Sequence, residues 1–296
     1  MSYMLKKSYR IVALVALSGL ATQAAVITID NFNTGSVYLN GPVTTGTTPF
    51  TACWYQNATS NNSSCNSAAY GGAAINMPTS ADALSGKDTI RNARYEKLTV
   101  TGLSSGASAG SAKLNINGDV QGSFNLSTDA QTTANAYLQW DGGQSNTSSI
   151  NWSNTSLMLQ QDLLTTSQNN SFRLKYQTDN GGVVPPSTTI LISVYTDATR
   201  FSTSTFTVPA TGFGAGYFDF YAMFASFIAG GTNGGANFGL VNAITMSINM
   251  APGSAAGLDF VLDSFDAVLV VPEPGTYMFV AAGLAGVLAF RRKVNA

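Results

Sequence analysis

The 296-residue chain carries 14 Lys and Arg against 15 Asp and Glu, with two Cys and no His. The lack of imidazole excludes His-dependent catalytic dyads and His-ligated metal centres, and an apolar share of 45% separates the chain from simple disorder. Ser, Thr and Asn, close to three in ten residues, disfavour long helices, whereas short runs of Val, Ile, Thr and aromatics favour strands.

Residues 1–24 have the three-part build of an export signal. A basic stretch holds Lys6, Lys7 and Arg10, an apolar stretch runs from Ile11 to Leu20, and small residues follow. Ten apolar residues make about 15 Å of helix against a hydrocarbon core of about 30 Å, so the segment engages an export channel without spanning stably. Thr22 and Ala24 fit the small-residue spacing that signal peptidase reads, which places the cut between Ala24 and Ala25.

From Ala25 onward, short alternating segments are separated by Gly, Asn, Ser and Pro clusters, the pattern of an antiparallel sandwich or barrel. Ile27 and Ile29 open the series. Cys53 and Cys65, the only cysteines, stand twelve positions apart in a chain read as leaving the reducing cytoplasm, and a disulfide closing this Asn-rich loop is the expectation. Asn57 to Ser67 reads as a surface loop. Lys87, Arg91, Arg94 and Lys97 form the one basic cluster, interleaved with Asp88 and Glu96, and between the termini eight bases face 14 acids. Nucleic acid is therefore excluded as a partner.

Leu98 and Val100 alternate with threonines, and Leu114 and Ile116 lead into Asn117-Gly118, a hairpin-turn signal. Gly142 to Ser149 reads as a second loop, and Thr155 to Leu164 as a short helix. Phe172, Leu174 and Tyr176 face one way, and Arg173, Lys175 and Gln177 the other. The same two-residue period recurs at Ile190-Ile192-Val194, Ile244-Met246-Ile248 and Leu258-Phe260-Leu262. No fixed repeat and no long linker divides the region, so residues 25–270 are read as one domain.

Among these residues, chemistry is sparse. No catalytic motif is visible: there is no Gly-x-Ser-x-Gly elbow, and the glycines at 230, 231, 234 and 235 lack the Lys of a phosphate loop. Glu96 is the one Glu of the central region, and Asp141, Asp162, Asp179, Asp219, Asp259, Asp263 and Asp266 are the remaining acids from which a paired-carboxylate hydrolase could be built. No cofactor is expected. Asp259 and Asp263 share a strand face open to solvent or to calcium alike, but no calcium-loop pattern surrounds them. Trp54, Tyr55, Trp140 and Trp152 are the candidate carbohydrate platform, because sugar rings stack on aromatic faces while neighbouring Asn and Asp bind hydroxyls; core filling is the competing role.

The chain ends with Pro272-Glu273-Pro274, an apolar run from Tyr277 to Phe290, and the basic residues Arg291, Arg292 and Lys293. The two prolines keep the peptide extended and accessible just outside the apolar segment, and the basic residues hold the extreme C-terminus in the cytoplasm. This order of features, in a chain opening with a signal peptide, resembles the PEP-CTERM sorting signal of Gram-negative bacteria. The resemblance implies a transmembrane sorting segment over 271–296, recognition and cleavage by an exosortase, a transient inner-membrane anchor, and delivery to the cell surface or extracellular matrix of an exopolysaccharide producer. Asp162-Leu163, Thr205 to Pro209, Asn242 to Thr245 and Leu258-Asp259-Phe260 resemble the passenger domains of such proteins, which implies a jelly-roll-like β-sandwich. The expectation from sequence is a non-enzymatic, structural or adhesive surface protein in contact with polysaccharide, with a polysaccharide hydrolase as the alternative.

Overall fold

The computed structural model describes residues 26–33, 37–44, 50–57, 61–62, 89–103, 108–117, 121–142, 149–150, 152, 158–164, 168–179, 188–209, 211, 216–249 and 257–270. Both terminal segments lie outside these residues. Among the described residues, no helix is long and apolar enough to cross a membrane.

Alternation writes the strands. In β8 (Thr132–Trp140), Ala134, Ala136, Leu138 and Trp140 are buried while Thr133, Asn135 and Tyr137 are partly open. β9 (Ser171–Asp179) buries Phe172, Leu174 and Tyr176 and turns Arg173, Lys175 and Gln177 outward, as the pattern predicts. β10 (Thr188–Tyr195) and β14 (Ala243–Ile248) send Ile190, Ile192, Ile244 and Met246 into the same core. The other strands are β1 (Ile27–Asp30), β2 (Val37–Thr44), β3 (Phe50–Asn57), β4 (Asn61–Asn62), β5 (Ala93–Leu103), β6 (Ala109–Ile116), β7 (Phe124–Thr128), β11 (Phe201–Val208), β12 (Phe218–Met223), β13 (Ile228–Ala229) and β15 (Asp259–Val268).

These strands form two sheets, every pairing antiparallel. The first runs β12-β9-β15-β7-β6-β2, with β1 also paired to β15, and the second β13-β11-β10-β14-β8-β5-β3-β4. Their inner faces enclose one apolar core, in which Phe172 meets Phe224, Phe227, Phe238 and Phe265 at centroid distances of 4.9 to 6.5 Å. The chain is thus an all-β antiparallel sandwich, as expected.

Local expectations fare unevenly. Met158 to Leu164 is not helical: Leu159 and Gln161 donate to the carbonyls of Asn242 and Val241, Gln161 bridges Val241, and Gln160 takes φ 46°, which no α-helix accommodates. Residues 155–157 of that expected helix lie outside the described residues. Asn117 does turn the chain with φ 49°, but it closes a longer loop than a two-residue hairpin, its backbone N–H donating to the carbonyl of Ser123 and its side chain accepting from Gly122. Within the expected loop Asn57 to Ser67, Asn61 and Asn62 pair back onto Gln56 and Tyr55.

Candidate functional site

Strand parity decides which aromatic residues can meet a ligand. Trp140, expected on the platform, ends β8 on the core side; it is wholly buried, packs at 5.3 Å against Phe265, and donates from Nε1 to Asp30 Oδ2 at 2.9 Å. It offers no face to a sugar. Its odd-numbered neighbours take the opposite side. Tyr137 and Gln139 lie on the outer face of β8, where the Tyr137 hydroxyl donates to Gln139 Oε1 at 2.7 Å and Gln139 Nε2 donates to Asp141 Oδ2 at 2.9 Å.

The register extends this face across the second sheet. Tyr95 stands opposite Gln139 and also opposite Tyr55, while Lys97 stands opposite Tyr137 and Cys53. Tyr95 and Tyr137 meet edge to face at 6.2 Å, and Lys97 Nζ lies 5.2 Å from the centre of the Tyr137 ring. Beyond β14, Tyr195 packs at a tilt against Phe201 at 5.3 Å and against Trp152 at 5.9 Å. Tyr137, Tyr195, Trp152 and Lys97 are half-buried, whereas Tyr95, Gln139 and Asp141 are buried. Burial pushes the Tyr137 phenol up and the Lys97 ammonium down, so both favour their neutral forms more than free side chains do. Half-open aromatic rings can take the C–H face of a sugar ring, while the buried Gln139 and Asp141 are spent on fixing the Tyr137 hydroxyl rather than on meeting a ligand.

The expected platform is therefore divided. Trp152 and the backbone position of Tyr55 belong to this outer face, Trp140 to the core, and the side chains of Trp54 and Tyr55 lie outside the described residues. Tyr95, Tyr137, Gln139 and Tyr195 were not singled out by sequence, although the alternation Ala136-Tyr137-Leu138-Gln139-Trp140 already separates the two parities. Cys53 is buried and disulfide-bonded. Cys65, the cleavage residues Ala24 and Ala25, the motif Pro272, Glu273 and Pro274, and the basic Arg291, Arg292 and Lys293 lie outside the described residues.

The acids serve other ends. On the outer face of the first sheet, Arg173 pairs with Asp266 and Lys175 with Asp263, each at 2.7 Å, while Tyr221 donates to Asp219 at 3.4 Å. Asp162 accepts from the Leu164 N–H, and the backbone position of Asp179 is in register with Asp259 across β9 and β15. Among the described residues, no group of three or more Cys, Asp or Glu is placed to hold a metal ion. The basic cluster is also dispersed: Arg94 and Lys97 alternate to opposite faces of β5, and Arg91 donates to the Leu159 carbonyl.

Two carboxylates do converge, but in the core. Arg94 Nη1 meets both oxygens of Asp30 at 2.9 and 2.7 Å, and its Nε bonds Glu96 Oε1. Asp30 accepts further from Trp140, Thr89 and the Phe32 backbone, so its oxygens are fully used. Burial pushes Glu96 up to about 7 against the lowering influence of Arg94, and Glu96 Oε2 has no hydrogen-bond partner among the described residues. All three side chains are closed to solvent. This cluster ties β1 of one sheet to β5 and β8 of the other and is out of reach of a polymer.

Residues 270–293 match the family model of the PEP-CTERM protein-sorting motif. No curated protein sequence matches the chain. Two solved structures of the family 11 carbohydrate-binding module from Clostridium thermocellum each align with 55% of this chain. One, in complex with a β-1,3-1,4-mixed-linked tetrasaccharide, has 11% identity, 84% of its own chain covered and a TM-score of 0.31. The other, from the cellulosomal cellulase Lic26A-Cel5E, has 10% identity, 83% coverage and a TM-score of 0.30. A third structure, described under the promiscuous specificity of carbohydrate-binding modules of the β-sandwich superfamily, covers 81% of this chain and 99% of its own at 6% identity and a TM-score of 0.24.

Proposed function

We propose that this chain is an exported protein, sorted through its PEP-CTERM motif by an exosortase, whose sandwich binds an extracellular polysaccharide without cleaving it. The sorting motif at 270–293 carries the reading, since it commits the chain to processing at the membrane and to an extracellular destination. The ligand class rests on the outer face of the second sheet, where Tyr137, Tyr195 and Trp152 offer half-open rings and the buried Gln139 fixes the Tyr137 hydroxyl. The non-enzymatic reading is supported by the ion pairing of Asp263 and Asp266 and by the solvent-closed setting of Asp30 and Glu96.

Affinity electrophoresis in gels cast with the producer's own exopolysaccharide tests this. Tyr137→Ala and Tyr195→Ala are each expected to weaken retardation about fivefold, equivalent to ~1 kcal/mol of ring stacking, while Lys113→Ala on the other sheet leaves it unchanged. Equal retardation of all four proteins would remove the face from consideration. Release of soluble reducing ends by the wild type would replace binding with hydrolysis.

A further inference from the structure

Five strand edges are present among the described strands, and four of them are short or blunted. β1, which pairs with β15 alone, is four residues long with Ile29 and Asp30 buried. β4 and β13 are two residues long, and β2 carries Pro42, which has no N–H to offer. β12 differs. It is six residues long, contains neither Pro nor Lys, pairs with β9 alone among the described strands, and exposes Phe218, Tyr221 and Met223 at 43%, 42% and 38%. Such an edge is a row of main-chain donors and acceptors open to another strand.

We propose that β12 is the interface through which a second copy of this chain adds, edge to edge and antiparallel, about a two-fold axis at Phe220. The complement of an open edge is another open edge, and the longest proline-free strand left unpaired on one edge among the described strands is β12 itself; like pairs with like, and the assembly closes at two. Antiparallel pairing keeps the outer faces of both copies on one side, so each residue must meet one of its own parity. An axis at Asp219 would set carboxylate against carboxylate, and an axis at Tyr221 would set Asp219 against Met223. The axis at Phe220 places Asp219 opposite Tyr221 of the second copy, a pairing already compatible within one copy, where the Tyr221 hydroxyl donates to Asp219 at 3.4 Å.

The test uses the protein purified from its host. Light scattering over a concentration series should give a doubled molar mass for the wild type; a monomer at every concentration overturns the proposal. Tyr221→Asp, which sets two pairs of carboxylates face to face, should return the monomer mass, and Asp219→Asn/Tyr221→Asp should restore the dimer. A dimer unaffected by Tyr221→Asp overturns the assignment. An independent arm needs no disruption: Asp219→Cys mixed with Tyr221→Cys should cross-link on oxidation far more than either variant alone, and equal cross-linking of each variant by itself defeats the register. All these side chains are exposed in the free strand, and the polysaccharide face lies on the other sheet, so gel retardation reports separately on the proposed function.

Discussion

Arg94 sits at 1% exposure between two acids, and what it costs to remove shows how a core charge is tolerated. Replacing it with Met leaves Asp30 and Glu96 without their shared cation in a medium that solvates charge poorly, and should cost about 3–5 kcal/mol in chemical denaturation. Glu96 makes a second, pH-dependent demand. Its folded value, about 7, lies above the ordinary 4.5, so the folded state holds the proton more tightly than the unfolded chain. The contribution is therefore full below about 4.5 and is lost as pH rises toward 7, on the order of 1–3 kcal/mol. Unfolding midpoints for the wild type should fall between pH 4.5 and 7, and Glu96→Gln should flatten that slope. An unchanged slope in the variant would assign the effect to another group.

At the scale of elements, the period-two runs announced β9, β10, β14 and β15 because the core faces of both sheets take every second residue, although β14 is buried on both of its faces. β2 and β12 were not anticipated: β2 is interrupted by Gly41-Pro42, and β12 is an edge strand whose apolar residues stand on both sides. The expected helix near Leu159 failed because the carbonyls of Val241 and Asn242 offer its amides an inter-segment ladder, a tertiary contact that no window of local sequence contains. The candidate binding face was half legible for a related reason: Trp152 was visible by type, but Tyr137 and Tyr195 come onto one sheet face only through the register of β8, β14 and β10. The glycines at 231 and 234, ordinary loop residues by sequence, bridge each other against Thr199. A Cβ on Gly231 would fall on the Thr199 carbonyl oxygen and 2.7 Å from that of Gly234, so Gly231→Ala should lower the unfolding free energy by about 1–3 kcal/mol, measured by urea titration. Wild-type stability in that variant would mean the turn is free to open.

For the whole molecule, the proposed route makes the two ends addresses and the sandwich their cargo. Mass spectrometry of protein recovered from the cell surface should find an N-terminus at Ala25, no peptide from Tyr277 to Ala296, and, without reductant, Cys53 joined to Cys65. Substituting Glu273 or Pro274 should leave precursor in the membrane fraction; undiminished release would contradict recognition through the motif.

β15 lies inside its sheet, bonded to β9, β7 and β1, although it is the last of the described strands. A polypeptide threading outward from its N-terminus delivers that strand only after every other one has emerged. The first sheet thus stays incomplete until Val268 has crossed, two residues before the matched sorting segment begins at 270. Completion of the sheet falls within two residues of the matched motif, and on the proposed sorting route the processing enzyme would meet its substrate just as the cargo became able to lock shut.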